Sequence, residues 1–378
     1  MRAKLSNSFL AVSLLALALF GCGEKQAGDA GVIKLGSVSP LTGPQTHIGK
    51  DNENGARLAV EEINAKGLEL GGKKVKLELL GEDDQAEPKT ATIVAQKLVD
   101  AGVVAVIGHL NSGTTIPASK IYHDAGIPQI SPSATAVAYT AQGYNTAFRV
   151  MANDAQQGKA LGQYAVARMG AKKIAIIDDR TAYGQGLADA TKAAYEKAGG
   201  TSALYEAYTA GEKDYTALVS KLKAEGVGVL YVGGYHTEAG LIVRQMREQG
   251  MDTVLVSGDA LVTDEYWAIT GEAGEGTLMT FSPDPRKNPD AAPLVEKFRA
   301  KGIEPEGYVL YTYAAVQAWA DAVKAAGSTD FDAVVTALNE GTFKTVLGES
   351  TFDEKGDVTL PGYVFYEWKN GTYDYLEN

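Results

Sequence analysis

Val103-Val104-Ala105-Val106-Ile107-Gly108-His109-Leu110-Asn111-Ser112-Gly113-Thr114-Thr115 carries the reading that decides the fold. Its first five residues form an unbroken apolar run rich in valine and isoleucine, too short for a helix and lacking the alternation of a half-exposed strand. Such a run reads as a strand buried on both faces, which is the environment of a parallel sheet. Small hydroxyls follow it at once. Similar runs recur at residues 32–38, 74–80, 174–177, 227–232 and 253–256. Longer amphipathic segments separate them. At residues 55–65, for example, Ala56, Ala59, Val60 and Ile63 fall at i, i+3, i+4 and i+7 and make one apolar helical face. Many such segments stop at a glycine (Gly67, Gly102, Gly126, Gly170, Gly199, Gly226, Gly250, Gly327), the residue that most easily takes a left-handed helix C-cap. The repeating βα unit predicts an α/β fold of doubly wound parallel sheets. One series of units runs to about Met151 and a second starts after Asn153, which predicts two lobes with a ligand cleft outside the carboxyl ends of their strands.

The N-terminus has a different character. Arg2 and Lys4 precede an apolar run at residues 9–20 that ends in Leu19-Phe20-Gly21-Cys22. The run is short of the roughly 20 residues a bilayer span needs, and it ends in a small residue before cysteine, so residues 1–21 read as a secretory leader. Cys22, the sole cysteine, is expected to become a lipidated first residue, because an unpaired thiol is otherwise a liability in an oxidising compartment. Residues 22–31 are expected to form a lipidated tether. Loss of the leader takes the net charge from −12 to −14, an acidic balance that disfavours nucleic acid. The remaining chain is longer than a single core of up to about 250–300 residues usually serves.

The parts of an enzyme are missing. Gly184-Gln185-Gly186 has Asp189 where a dinucleotide loop needs its third glycine. No nucleophile elbow, phosphate-binding loop or H-E-x-x-H helix occurs. His47, His109, His123 and His236 lack metal-ligand spacing and are expected on the surface or in loops. No cofactor and no metal is expected. Strand ends offer other chemistry: Ser112-Gly113-Thr114-Thr115 and Ser131-Pro132-Ser133-Ala134-Thr135 place hydroxyls and free N–H groups where a helix start can hold a carboxylate without an arginine. The second half supplies Asp178, Asp179, Tyr183, Tyr235, Glu238 and Asp259 near strand ends. An acid facing the hydroxyl loops would pair with an ammonium, and a buried zwitterion needs both partners.

Leu41-Thr42-Gly43-Pro44, Gly55-Ala56-Arg57 and Glu62-Ile63-Asn64-Ala65-Lys66-Gly67 resemble the start of periplasmic leucine/isoleucine/valine-binding proteins of ABC uptake systems. The resemblance continues through Val106-Ile107-Gly108-His109-Leu110, Ile130-Ser131-Pro132, Tyr183-Gly184-Gln185-Gly186, Gly233-Gly234-Tyr235-His236 and Asp353-Glu354-Lys355-Gly356-Asp357. It implies a type I periplasmic binding fold whose chain crosses between lobes three times, near Asn153, Ser282 and Leu360. The N-terminal lobe would then hold residues 32–153 and 283–360, the C-terminal lobe residues 154–282 and 361–378. The resemblance assigns the ligand carboxylate to Ser112 and Thr135 with backbone help from Ser133, the ammonium to Asp259, and closure over the ligand to Tyr183 and Tyr235. Leu110, Ile48 and Tyr308 complete the expected wall. Three positions depart from the family pattern. Asp259 stands where glutamate is usual, Ile48 where an aromatic is common, and Tyr308 where phenylalanine is common. Ala86 and Asn111 occupy positions at which some members carry a disulfide. The implied function is a monomeric, membrane-anchored periplasmic lipoprotein. It would capture a branched-chain L-amino acid without turnover and deliver it to an ABC permease complex. A polar or γ-amino acid, a small amide, or a sensing role remains the alternative.

Overall fold

The computed structural model describes residues 31–170, 172–360 and 362–376. The expected leader, Cys22 and nearly all of the tether lie outside the described residues. Gly31, expected to close the tether, instead opens the first strand.

The first series runs β1 (Gly31–Ser39), α1 (Thr46–Lys66), β2 (Leu68–Leu70), β3 (Lys73–Asp83), α2 (Pro88–Asp100), β4 (Ala105–Gly108), α3 (Ser112–Asp124), β5 (Gln129–Ser131), α4 (Val137–Ala141) and β6 (Ala147–Arg149). These strands form one sheet in the order β2-β3-β1-β4-β5-β6. The second series runs α5 (Asp154–Met169), β7 (Ile174–Asp178), α6 (Ala182–Lys197), β8 (Leu204–Ala207), α7 (Thr216–Ala224), β9 (Val229–Gly233), α8 (His236–Glu248), β10 (Val254–Ser257), α9 (Asp264–Thr270) and β11 (Leu278–Phe281). The chain then returns to the first lobe through α10 (Ala292–Ala300), α11 (Val309–Ala326), α12 (Phe331–Glu340) and the hairpin β12 (Phe343–Thr345) and β13 (Gly348–Ser350). It ends in β14 (Val364–Lys369) and β15 (Thr372–Tyr375), which complete a sheet ordered β15-β14-β11-β10-β9-β7-β8. Within these two sheets pairing is parallel except at β2–β3 and along β11–β14–β15, so each carries an antiparallel edge that the repeated runs do not announce, and the separate β12–β13 hairpin is antiparallel.

Register explains where chemistry collects. Val38 of β1 pairs with Gly108 of β4, and Ile107 pairs with Ile130 of β5, so the carboxyl ends of these strands finish level and their loops share one rim. Beneath them α11 is buried nearly throughout, with Trp319 fully enclosed. It lies so close to α1 that a Cβ on Gly55 would stand 2.2 Å from the carbonyl oxygen of Val309. Only glycine fits there. At the ends of helices, Gly327 takes the expected left-handed conformation, whereas Gly170 does not: its φ is −61°, and the helical backbone runs on into it.

The links between lobes are tied to one another. Asn153 caps α5 by accepting from the N–H groups of Ala155 and Gln156, while its Nδ2 donates to Asp357 Oδ2 at 3.0 Å. Tyr363 donates to the carbonyl of Ala152 and Tyr366 to that of Ser282. The fully buried Arg149 donates to Asp357 Oδ1 at 2.6 Å and to the carbonyls of Ala134 and Ala136 at 2.7 and 3.0 Å. One guanidinium therefore fixes both neighbours of Thr135 to the third link.

Two histidines correct the expectation of surface positions. His109 is fully buried because both ring nitrogens find partners, Nδ1 with Asp84 Oδ2 at 2.7 Å and Nε2 with the Tyr122 hydroxyl at 3.0 Å. His236 is buried with Nε2 3.0 Å from Glu265 Oε2. Among the described residues no helix is long and apolar enough to cross a membrane.

Candidate functional site

The first wall grows from the loops after β4 and β5. Ser112 begins α3, where the first-turn N–H groups have no intrahelical carbonyl to meet and the helix dipole is positive. Its hydroxyl oxygen accepts from the N–H of Ala136 at 3.1 Å, so its proton is free to point into the cleft. The loop of residues 131–136 is held against it by hydroxyls. Ser131 donates to the carbonyl of His109 at 2.8 Å and accepts from the N–H of Ala134 at 2.9 Å, and Ser133 donates to the carbonyl of Leu110 at 3.0 Å. Because the Ser133 hydroxyl is already committed and also accepts from Asn52, this residue meets the cleft through other atoms. The Thr135 hydroxyl is buried without a hydrogen-bond partner.

The second wall centres on Asp259, at the start of a 3-10 turn after β10. Its carboxylate is 2 % exposed and accepts from Gln157 Nε2 and the Tyr183 hydroxyl, both at 2.9 Å on Oδ1, and from the Tyr308 hydroxyl on Oδ2. Burial raises the Asp259 pKa, and those three donors oppose the rise. Burial, reinforced by the nearby Asp259 charge, pushes Tyr183 and Tyr308 well above the usual tyrosine range, so both remain donors. A carboxylate offers about four acceptor sites, which leaves one open. Among the described residues no cation fills it. Tyr308 precedes α11 in the first lobe, so its bond to Asp259 spans the cleft.

Ser112, Ser133, Ile48, Leu110, Tyr183, Tyr235, Asp259 and Tyr308 line a single cavity with about 250 Å³ of empty space. Ala260 joins them and is the one lining residue without a chemical signature in the sequence. Tyr183 and Tyr235 lie side by side with ring centroids 5.2 Å apart. Of the other candidate acids, Asp178 and Asp179 accept from the turn that starts α6, and Glu238 accepts from the N–H of Gly211. They cap turns. Thr135 does not line the cavity; it sits behind it, where its carbonyl accepts from the N–H of Asp154 at 2.9 Å. Asp154 and Gln157, both on α5, were not read from the sequence as part of the site. Asp154 is fully buried with both carboxylate oxygens unpartnered, and burial together with the Asp259 charge raises its pKa to about 8.

A larger cavity, about 520 Å³, opens at the links between lobes and includes Val150, Pro283, Tyr311, Val346 and Leu360. Asp284 is its sole carboxylate, and it is held by Arg286. The smaller cavity has the convergent charge, hydroxyls and helix terminus that recognition requires.

Comparison with known proteins agrees with this geometry. Residues 32–372 match the family described as periplasmic binding protein. The chain is 48% identical over 373 residues to Leu/Ile/Val-binding protein homolog 1 of Brucella suis, covering 98% of each chain. It is 44% identical to an amino acid binding protein of Pseudomonas aeruginosa, covering 98% of this chain and all of the other. Among solved structures, the leucine binding protein LivK of Thermotoga maritima superposes with a TM-score of 0.84 at 29% identity over 91% of this chain and 98% of the other. LivJ of Streptococcus pneumoniae in complex with isoleucine superposes at 0.81 and 30% identity over the same shares. The chain therefore belongs to the periplasmic binding protein family, in which its relatives include Leu/Ile/Val-binding protein homologs, and has the type I fold of two α/β lobes.

Proposed function

We propose that this chain captures a branched-chain L-amino acid between its lobes and delivers it to an ABC importer, without chemical turnover. One observation carries the reading: the buried Asp259 accepts three neutral donors, has no cation, and lines the same cavity as Ser112 at the positive end of α3. An α-amino acid supplies both missing charges. Its carboxylate takes the N–H groups and hydroxyl at the start of α3, with Thr135 and Ser133 behind them, and its ammonium takes the open position on Asp259. Ile48 and Leu110 offer the aliphatic wall, and the hydroxyl rings of Tyr183, Tyr235 and Tyr308 shut over the backbone of the ligand. The three links, at Asn153, Ser282 and Leu360, act as the hinge between a first lobe of residues 32–153 and 283–360 and a second of residues 154–282 and 361–378. Export by the leader and lipidation of Cys22 would hold the monomer at the membrane beside its permease.

A second reading has a specific observation behind it. The Tyr308 hydroxyl adds a polar group to the cavity wall, and Asn111, whose Oδ1 is buried without a partner, sits between the lining residues Leu110 and Ser112, which favours a polar or γ-amino acid. Titration calorimetry on ligand-stripped protein with the twenty amino acids and γ-aminobutyrate separates the two. Tightest binding of leucine, isoleucine or valine supports the first reading, and no heat with any compound removes both. Membrane retention of the wild type, with release of Cys22→Ala to the soluble fraction, tests the anchor.

A further inference from the structure

Beside the cleft, α1 presents His47 and Asp51 one turn apart, and Glu306 reaches them from the segment just before Tyr308. His47 Nε2 lies 3.1 Å from Glu306 Oε1, and one ligand atom from each of the three residues falls within 4.8 Å of the others. We propose that His47, Asp51 and Glu306 bind one divalent cation of the zinc class at the mouth of the cleft.

Asp51 is the observation that an acidic surface patch would not supply. It is 6 % exposed, and its Oδ2 is buried without a hydrogen-bond partner. A buried carboxylate oxygen left without a donor is costly, and a cation removes that cost. The donor set fits a borderline cation: one imidazole and two carboxylates, which is what zinc, cobalt or nickel accept with water in a further position. The spacing fits too. Two ligands at about 2.1 Å from a tetrahedral metal stand roughly 3.4 Å apart, close to the His47–Glu306 separation, so only Asp51 has to swing inward. The surrounding field is negative. Asp264 and Glu265 of the opposite lobe face the cluster, the Asp264 N–H donating to Glu306 Oε1 at 3.4 Å, while Arg286 is engaged by Asp284 and Glu304. The separation in sequence between Asp51 and Glu306 is why no ligand spacing is visible in the chain.

The site touches the ligand cavity without belonging to it: Ile48 follows His47, and Tyr308 lies two residues beyond Glu306. Zn²⁺ alone, titrated calorimetrically into chelator-treated protein free of amino acid, tests the proposal independently of what the cleft binds. The expected result is one cation per chain with a dissociation constant of about 10 µM or below. Asp51→Asn and His47→Ala are each expected to weaken it at least about tenfold, while His123→Ala leaves it unchanged. Co²⁺ loading should give visible d–d bands that disappear in His47→Ala. Both variants are first shown to melt like the wild type without metal, which separates lost ligation from lost folding. Weaker binding than about 1 mM, or binding that Asp51→Asn and His47→Ala leave intact, overturns the site.

Discussion

Replacing Asp259 by asparagine changes the charge of the cleft while hardly changing its shape. The amide oxygen can still accept from Gln157 and Tyr183, which meet Oδ1, and the Tyr308 hydroxyl can turn to accept from the new amide. What disappears is the anion. An ammonium about 3 Å from a carboxylate gains roughly 5 kcal/mol at an effective dielectric constant of about 20, and desolvation of the ligand cation offsets part of it. A loss of about 3 kcal/mol, or roughly 150-fold in Kd, is expected for Asp259→Asn with its best amino acid. Calorimetry at pH 7.5 on ligand-stripped protein reads this directly. Stability should move the other way, because the ligand-free wild type buries an anion that the variant lacks. The thermal midpoint of ligand-free Asp259→Asn is therefore expected at or above that of the wild type. A misfolded variant would lose both. A Kd within threefold of the wild type would refute the assignment of Asp259 to the ammonium.

Tyr308→Phe removes the donor that spans the cleft; affinity should fall by about 1.5–3 kcal/mol, as for loss of a hydrogen bond to a charged group, and small-angle scattering should show a more open ligand-free protein. An unchanged radius of gyration and Kd would deny the hydroxyl that role. Asp154, raised to about 8 by burial, binds a proton in the folded state that the unfolded chain releases near pH 4, so between those values its contribution falls as pH rises. Asp154→Asn should reduce the slope of stability against pH across that window by up to about 1.4 kcal/mol per pH unit, and identical slopes in urea titrations at pH 5, 6, 7 and 8 would falsify this. Asp357→Asn leaves the buried Arg149 without its counter-charge and should cost about 3 kcal/mol of stability, read from chemical denaturation. A cost under 1 kcal/mol would mean that the carbonyls of Ala134 and Ala136 suffice.

Much of the fold was legible because strands buried on both faces leave little choice of residue. The runs at 32–38, 103–107 and 174–177 lie within or across β1, β4 and β7 with small shifts at their ends. The start of α1 was not legible. The helix begins at Thr46, well before the apolar face at Ala56, because its first turns bury Gly49, Asp51 and Asn52, polar or small residues that break the 3.6-residue pattern. Tertiary packing sets that stretch. β14 and the edge strand β15 are only partly buried, so their sequence alternates weakly. Eight predicted wall residues converge on one cavity because strand ends on a common rim deliver their loops together. The partners of Asp259 were hidden for a different reason: Gln157 is 102 residues away from it and Tyr308 49, and no local pattern records a contact between segments so far apart in sequence. Arg149 and Asp357, 208 residues apart, were hidden likewise.

The hydroxyl of Tyr308 donates to Asp259, so under the proposed reading the shut shape has a fastening that belongs to the chain and not to the ligand. Any receptor that reads shape alone would then register some empty traps as full. Keeping such false signals below one in a hundred requires the open form to be favoured by about 2.7 kcal/mol, comparable in size to what one charge-assisted bond gives to the shut one. The restoring force is at hand in the same cavity. Shutting it buries Asp259 with an acceptor position open and Asp154 with both oxygens unpartnered, and opening lets water return to both. Under the proposed reading that regained hydration favours the open form of the empty cleft, and a ligand ammonium on Asp259 offsets the cost of shutting it.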